Sequence, residues 1–411
     1  MRRLSCLVLA SLVGAAGCVG SLEGTGPGGD DDQPPPPPPP PQLITVRVVD
    51  GTVPQPGVPV VFQKSDDTLV ADTVTDADGL ASADMPDGGN ITVIRTATEG
   101  PTRVFTYVGA QVGDKLELGR PTASGTPMLV NVRLPTALQN ANVMTPCGQA
   151  QGGPTVALTL TGCPEQTVFY ASNGNQSFVK VAPVAPDISF LDEAVADNLT
   201  TTMRVLNLPP NTQSTMEGQL SMLGYRIFST GQRNAANPQN VNYPNLGGVD
   251  QTTLVRVTMQ QSQQMVSFHR KFLNTQGVDV GPTMLPYIGP PTVDPSGVTW
   301  VETPAGAATL SPDFVVARLN VTPAGGLTPY VRSFVAPYSG TQLRFTQLPA
   351  AHAAYNAAAG DQVVATPGLV KIQGGYDGVR STLFKHGSVL DAAPMDTSAT
   401  LSYAGTTAPT F

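Results

Sequence analysis

The stretch Ile44-Thr45-Val46-Arg47-Val48 opens the body of the chain with apolar and polar side chains in strict alternation. A period of two is typical of a β-strand that buries one face, because successive side chains point to opposite sides. The same pattern returns over residues 58–62, after the turn residues Pro56-Gly57, and over residues 91–93. The sequence therefore predicts short strands separated by tight turns.

Composition extends this prediction to the whole chain. Of its 411 residues, 42 are Gly and 40 are Pro, and only 13% are charged. Such a composition favours many turns over long helices. Alternating runs recur at residues 128–134, 156–160, 254–259 and 315–321. We therefore predict an all-β protein of two or three tandem Ig-like β-sandwich domains after a disordered tether, with little helix.

The length of the chain exceeds that of a single hydrophobic core, so several domains are expected. The predicted ranges are 1–17, a signal peptide; 18–42, a lipid anchor and a linker rich in Gly, Asp and Pro; 43–122, an Ig-like β-sandwich; 123–240, a second β domain with a disulfide; and 241–411, a third β domain. Residues 190–199 and 350–359 are candidates for short helices that cap a sandwich.

The first of these domains resembles a known family. Its segments Pro56-Gly57-Val58-Pro59-Val60-Val61-Phe62, Thr75-Asp76-Ala77-Asp78-Gly79-Leu80-Ala81 and Asn90-Ile91-Thr92-Val93 resemble the Ig-like modules of bacterial surface proteins, both invasin-type repeats and carboxypeptidase-regulatory-like β-sandwiches. The likeness covers about an eighth of the chain. It implies a spacer or adhesion scaffold, and it brings no catalytic residues with it.

The amino terminus predicts export. Met1-Arg2-Arg3 is a short basic segment, and residues 4–16 form an apolar run of signal-peptide length. The sequence Ala15-Ala16-Gly17-Cys18 resembles the lipobox of bacterial lipoproteins, although the family prefers Leu where Ala15 stands. The resemblance implies cleavage before Cys18 and acylation of that cysteine. The alternative is an ordinary signal peptide that contains a cysteine.

A tether follows the predicted anchor. Residues 20–33 are rich in Gly, Ser and Asp, and residues 34–41 are eight consecutive prolines. A proline run adopts an extended helix that rises about 3.1 Å per residue, so it acts as a semi-rigid spacer. We expect a protein that is lipid-anchored in the bacterial cell envelope, at the outer membrane, facing the periplasm or the cell surface.

Two cysteines remain in the body of the chain, Cys147 and Cys163, with 15 residues between them. In an oxidising compartment they are expected to form a disulfide, which stabilises a loop of this length by roughly 3 kcal/mol. Two free thiols or a metal-binding pair are the alternatives. No neighbouring His or further Cys supplies the remaining ligands of a metal site.

The charge of the chain limits its partners. The formal net charge is −8, and the body has no cluster of Lys or Arg, so nucleic acid is excluded as a partner. We expect the membrane as a partner through the lipid, and another envelope protein or a polysaccharide as a partner of the body.

The sequence contains no catalytic motif. Its three histidines, His269, His352 and His386, are widely spaced and lack the pairing of a metalloprotease helix. We therefore predict no catalytic residues, no metal, no cofactor and no enzymatic activity. A cryptic hydrolase that assembles a triad around one histidine remains as an alternative, because triads are recognised by geometry.

Aromatic residues are concentrated in the last third of the chain. Trp300, Tyr330 and Tyr338 are candidates for stacking on a sugar, which gives a second alternative, a carbohydrate-binding lipoprotein with its site near Trp300. Packing in the core is the competing interpretation, because one face of an alternating strand must be buried. The two interpretations differ in whether Trp300 is exposed.

Overall fold

The computed structural model describes most of residues 43–405, and the predicted leader, Cys18 and tether lie outside the described residues. The described ranges are 43–51, 53–96, 100–119, 126–145, 147–163, 165–197, 200–206, 215–222, 225–233, 239–244, 252–261, 264–273, 277–279, 283–304, 308–385, 389 and 401–405. Within residues 196–283 the description covers the backbone and its strand pairing.

Strands make up most of the described chain, which confirms the predicted all-β class. The first strands are β1 Leu43–Asp50, β2 Val53–Pro54, β3 Pro59–Gln63, β4 Leu69–Val74, β5 Leu80–Asp84, β6 Gly89–Arg95, β7 Thr102–Ala110 and β8 Lys115–Leu118. The next are β9 Met128–Arg133, β10 Ala141–Thr145, β11 Gly148–Gly152, β12 Thr155–Leu160, β13 Gln166–Ser172, β14 Gln176–Pro183, β15 Asp187–Ser189 and β16 Ala196–Asp197.

The remaining eighteen strands of the described chain, β17 to β34, follow in chain order. They are β17 Thr200–Leu206, β18 Thr215–Met222, β19 Tyr225–Arg233, β20 Gln239–Pro244, β21 Thr252–Gln261, β22 Gln264–Leu273, β23 Gly277–Asp279, β24 Thr283–Met284, β25 Tyr287–Ile288, β26 Thr292–Asp294, β27 Gly297–Thr299, β28 Glu302–Thr303, β29 Ala308–Thr309, β30 Phe314–Thr322, β31 Tyr330–Pro337, β32 Gln342–Arg344, β33 Gln362–Ile372 and β34 Leu401–Gly405. Helix α1 spans Gly375–Val379, and 3-10 turns span Thr136–Leu138, Ala350–Tyr355 and Leu383–Lys385.

The two predicted helical segments have different outcomes. Residues 350–355 form a 3-10 turn after Pro349, in which the backbone N–H of His352 donates to the carbonyl of Pro349. The segment 190–199 is not helical where the structure describes it, because Ala196 and Asp197 pair with β14. No helix in the described ranges is both long and apolar enough to cross a membrane.

One sheet of twelve strands runs through most of the described chain, in the order β19-β18-β21-β22-β34-β33-β30-β31-β7-β6-β3-β4. Near its centre β7 and β31 pair in parallel, from Thr102 opposite Tyr330 to Tyr107 opposite Val335, and the other neighbours in this order are antiparallel. Strands from all three predicted domains therefore share a sheet, and the described residues from 43 to 405 belong to one compact unit. The predicted boundaries at 122 and 240 do not separate independent sheets.

The alternation that opened the sequence forms one face of a first sandwich. Ile44, Val46 and Val48 on β1 are fully buried, and together with β2, β5 and β8 this strand forms a small sheet. It shares an apolar core with β3, β6, β7, β30, β31, β33 and β34 of the large sheet. We call this unit, β1–β8 with β30, β31, β33 and β34, the composite sandwich, because its strands come from both ends of the described chain.

A second sandwich forms from consecutive strands, β9–β16, and we call it the contiguous sandwich. The sheet β11-β10-β13-β14-β16 and the sheet β12-β9-β15 share one core, with Val132, Leu158 and Phe169 at its centre. Cys147 and Cys163 form a disulfide with a Cα–Cα distance of 5.4 Å, which confirms the predicted bridge. It fixes the start of β11 to the residues that follow β12.

The opposite face of the large sheet buries a third core. Along β30, Phe314 and Val316 point into the composite sandwich, whereas Val315 and Ala317 point to this third core. The short sheet β26-β27-β32 and the pair β25-β28 cover that face. The candidate site lies where this cover meets the ends of β7 and β31.

Candidate functional site

Trp300 and Tyr338 are brought together by a carboxylate that the sequence analysis did not identify. The indole Nε1 of Trp300 donates to Glu302 Oε1 at 2.9 Å, and the hydroxyl of Tyr338 lies 2.9 and 3.1 Å from the two Glu302 oxygens. Burial, and then the hydrogen bond to Glu302, raise the pKa of Tyr338 to about 12. The spacing of two residues between Trp300 and Glu302 is a signal that could have indicated their contact, because alternate residues of an extended chain share a side.

The structure buries two of the three residues that were predicted to stack on a sugar, Trp300, Tyr330 and Tyr338. Trp300 is 4% exposed and Tyr330 is 2% exposed, and both rings pack in the third core. Tyr330 packs edge-on against Tyr355 with 5.6 Å between ring centres, and burial raises its pKa to about 12. Tyr338 is half-buried. Since ring faces packed in a core are closed to a ligand, these residues do not form an exposed stacking surface.

The histidines give no sign of a triad where the structure describes them. His352 Nε2 lies 3.0 Å from Asp72 Oδ1, which joins the 3-10 turn at residues 350–355 to β4. The side chains of His269 and His386 lie outside the described residues. No serine hydroxyl is hydrogen-bonded to His352 in the described ranges, and no cluster of three or more metal-binding side chains occurs there.

A half-open recess of about 340 Å³ lies beside the end of β31. Val108, Ala336 and Leu343 give it apolar walls, and its polar lining comes from other strands and loops, namely Ser65, Asn90, Ser339, Arg344 and Thr346. These residues come from widely separated parts of the sequence. Sequence patterns therefore gave no signal for this recess, which exists only because β7 and β31 are neighbours.

A second half-open recess, of about 280 Å³, adjoins the first. Ser339, Leu343 and Arg344 line both recesses. The remaining lining includes Asp294, Ser296, Thr299 and Gln342. The hydroxyl and the backbone N–H of Ser296 hold the pKa of Asp294 below its ordinary value, so its carboxylate is engaged in its own turn.

Arg344, in the shared wall, is held in place by a distant loop. Its guanidinium makes a two-point ion pair with Asp67, at 2.6 and 2.9 Å, and donates to the carbonyl of Ser65 at 2.8 Å. Asp67 also accepts the backbone N–H of Gln347 at 3.0 Å. Positive φ at Asp67, 68°, turns the loop so that its carboxylate faces these donors.

Polar atoms without partners lie in the same region. Asn90 Oδ1, Gln63 Oε1 and Arg332 Nε are buried and accept or donate no hydrogen bond among the described residues. Burial lowers the pKa of Arg332 to about 10, and its guanidinium donates to the carbonyls of Thr346 and Tyr355. A concentration of buried polar groups is unusual for a β-sandwich core and distinguishes this face of the sheet from the other.

Comparison with known proteins adds little to this geometry. No protein-family model matches the chain, and no curated protein matches it. Among solved structures, BcpA, the major pilin subunit of Bacillus cereus, is similar at 11% identity over 58% of this chain and 97% of that one, with a TM-score of 0.15. The Bacillus anthracis TIE protein is similar at 8% identity over 58% of this chain and 48% of that one, also with a TM-score of 0.15. A Salmonella alpha-2-macroglobulin variant gives 10% identity over 77% of this chain, 27% of that chain and a TM-score of 0.11. At these scores the similarities support no conclusion about fold or function.

Proposed function

We propose that this chain is an exported lipoprotein, anchored by lipid on Cys18, whose β body is a non-enzymatic partner-binding module of the bacterial cell envelope. The sequence features that support the anchor are the basic amino terminus, the apolar run, the small residues before Cys18 and the tether after it. The single observation that carries the proposal is the disulfide between Cys147 and Cys163, because such bonds persist in oxidising compartments.

A binding or scaffolding role fits the chemistry of the described residues better than catalysis does. Several of their charged groups form pairs that hold segments together, as Arg344 with Asp67 and Lys371 with Asp313 illustrate. A catalytic site requires a nucleophile or a general base that faces a substrate. The two recesses offer hydroxyls, amides and apolar walls, and their charged side chains, Asp294 and Arg344, are engaged with Ser296 and Asp67. Such groups recognise a partner without reacting with it.

The anchor is tested by replacing one cysteine. Cys18→Ala should release the protein from the membrane fraction and abolish incorporation of a fatty-acid probe, because the thiol that accepts the lipid is gone. Cys6→Ala is the matched control, since it removes a cysteine from the same leader and should leave both readouts unchanged. Equal membrane retention and labelling of the two variants would contradict lipidation at Cys18.

The binding role is tested in intact envelopes. Cross-linking followed by purification should recover a specific envelope component with the wild-type chain and lose it with the Cys18→Ala variant, because tethering keeps the body next to its partner. Recovery of no component above the level of an unrelated lipoprotein would contradict a partner-binding role.

A further inference from the structure

The two adjoining recesses share a wall, formed by Ser339, Leu343 and Arg344. We propose that they form one groove that binds an uncharged, extended glycan through hydrogen bonds to its hydroxyl groups. This inference deepens the proposed function, on which it rests, by naming the chemistry of the partner. Its location differs from the position near Trp300 that the sequence predicted, because Trp300 lies in the core.

The lining of the groove matches the two surfaces of a sugar ring. Hydroxyl and amide side chains, such as Ser65, Gln342 and Thr299, can donate to and accept from sugar hydroxyls. Val108 and Pro337, which keep part of their surface exposed, provide apolar area for the C–H faces of the ring. The larger recess lies at the lower end of the volumes that ligand pockets usually have, about 300–1,000 Å³. Two adjoining recesses suit a chain of sugar units better than a single compact ligand.

A buried polar atom gives an independent indication. Asn90 lines the first recess, is 3% exposed, and has no hydrogen-bond partner for Oδ1 among the described residues. An unsatisfied carbonyl oxygen costs roughly 1–3 kcal/mol when it is buried. Because Oδ1 itself has almost no accessible surface, a sugar hydroxyl in the recess satisfies it after a rotation of the Asn90 side chain, which recovers part of that free energy.

The wall of the groove is rigid before any ligand binds. Tyr338, next to Ser339, is fixed by Glu302, and its backbone N–H donates to the carbonyl of Asp313 at 3.1 Å. The backbone N–H of Trp300 donates to the carbonyl of Thr341 at 3.0 Å. Pre-organisation of this kind lowers the entropy cost of binding. The cluster of Trp300, Glu302 and Tyr338 therefore acts as a support for the groove.

Charge and strand geometry favour a neutral glycan over other polymers. The charge of Arg344 is compensated by Asp67, and the chain carries a net charge of −8, which disfavours an anionic polymer. An extended peptide could add to β32, the edge strand of its sheet, but that strand has only three residues, Gln342–Arg344. So short an edge gives few of the main-chain hydrogen bonds on which strand addition depends.

Binding can be measured with the full chain purified in a non-glycosidic detergent. The probes are maltohexaose, cellohexaose and chitohexaose, and a decapeptide of Ser, Thr and Gly represents the peptide alternative. At least one hexasaccharide should give saturable titration calorimetry. Ser339→Trp, which fills the shared wall from an exposed position, should weaken that binding at least about tenfold. Ser189→Trp, an exposed serine on β15, is the matched control and should bind as the wild type does.

A smaller substitution gives a second test that does not depend on whether the Ser339→Trp variant folds. Gln342→Ala should weaken hexasaccharide binding about three- to tenfold, the value of one or two hydrogen bonds. Its control, Gln111→Ala, changes an exposed glutamine of the loop between β7 and β8 and should have no effect.

Three outcomes would overturn the proposal: no saturable binding of any hexasaccharide, hexasaccharide binding that survives both groove variants, or binding of the decapeptide that Ser339→Trp removes. The Cys18→Ala fractionation has a separate readout, so failure of the anchor and failure of the groove are distinguishable.

Discussion

The contiguous and composite sandwiches use the same kind of strand but different connections. In the contiguous sandwich, paired residues lie at most 56 positions apart in the sequence, as Asn131 and Asp187 do, and a disulfide closes part of it. In the composite sandwich, the parallel pairing of β7 with β31 joins residues about 230 positions apart, and an ion pair joins its Asp67 to Arg344 of the covering strand β32 across 277 positions. The comparison teaches that one architecture can depend on local chain closure in one place and on distant side-chain contacts in another.

An aromatic side chain late in the sequence packs against aromatic side chains of β7 in the core of the composite sandwich. Phe384 contacts Tyr107 and Phe105 with ring-centre distances of 4.6 and 5.2 Å, and the hydroxyl of Tyr107 donates to the carbonyl of Glu117 at 2.9 Å. The backbone N–H of Gly119 donates to the carbonyl of Phe384. The 3-10 turn at residues 383–385 thus helps to complete a core that the first strands began.

The largest effect is expected from Phe384→Ala. Removal of a fully buried ring should lower the free energy of unfolding by about 4 kcal/mol, because it leaves a cavity between β7 and the 3-10 turn at residues 383–385. Hydrogen exchange measured by mass spectrometry should accelerate in β6 and β7 and stay slow in β12. Phe169→Ala, in the core of the contiguous sandwich, is the control and should give the reverse pattern. Acceleration of both regions by either variant would show that the two sandwiches unfold as one unit.

The next effect is expected from the disulfide. Replacement of both cysteines, Cys147→Ala with Cys163→Ala, should lower stability by about 3 kcal/mol through loss of loop closure in the unfolded chain. Exchange should accelerate in β10–β12, whereas β6 and β7 should keep their protection. Reduction of the wild-type disulfide should reproduce the change. A variant as stable as the wild type would mean that packing alone holds this sandwich together.

A rise in pH above about 10 should destabilise the composite sandwich more than the contiguous sandwich. Burial raises the pKa of Tyr107, Tyr376 and Tyr403 in the composite core well above the ordinary value, whereas Tyr170 is the tyrosine with a raised pKa in the contiguous strands. A raised folded-state pKa gives stability that is present below about pH 10 and is lost as the pH rises above it. Arg332 has the opposite effect on stability. Burial lowers its pKa to about 10, so its contribution to the free energy of unfolding rises as the pH increases above that value.

Tyr330 lies on the same strand as Arg332 and also has a raised pKa, so four tyrosines stand against one arginine in the composite sandwich. They give a net loss of about 2.5 kcal/mol by pH 10.5. Denaturation by guanidinium at pH 8 and at pH 10.5, followed by hydrogen exchange corrected for its intrinsic rate, measures the loss. Tyr403→Phe should reduce it, since one phenol no longer ionises. A loss of stability that is equal in both sandwiches would contradict the assignment to these tyrosines.

Local sequence patterns were sufficient for strands and for the disulfide. Val156, Leu158 and Leu160 alternate in the sequence, and all three are buried in the contiguous core. The pattern at Ile44, Val46 and Val48 gave the correct face of β1 as well. A period of two specifies which face of a strand is buried, and nearby turns specify antiparallel neighbours.

The same patterns contain no information about distant partners. Nothing around Thr102 indicates that its strand pairs in parallel with the strand that begins at Tyr330. For that reason the sequence predicted tandem domains with boundaries at 122 and 240, and it placed Trp300 on a possible binding surface. The recesses and the role of Glu302 depend on this long-range pairing, so they became visible only in the fold.

The smallest effect is expected from the ion pair between Asp67, on the loop after β3, and Arg344, on β32. Asp67→Asn should lower stability by about 1 kcal/mol, because Arg344 is half exposed and solvent screens its charge. The loss should shrink when the salt concentration is raised, as expected for a screened interaction.

Asp50→Asn is the matched control, since Asp50 lies 3.4 Å from Arg95 within one end of the chain and its pair should contribute a few tenths of a kcal/mol at most. Equal effects of the two changes, measured by guanidinium denaturation at two salt concentrations, would show that Asp67 does not hold the distant segment in place. A larger effect at Asp67 alone would mean that a carboxylate on the loop after β3 holds the covering strand β32 against the composite sandwich, as a contact between distant parts of the sequence that needs no disulfide.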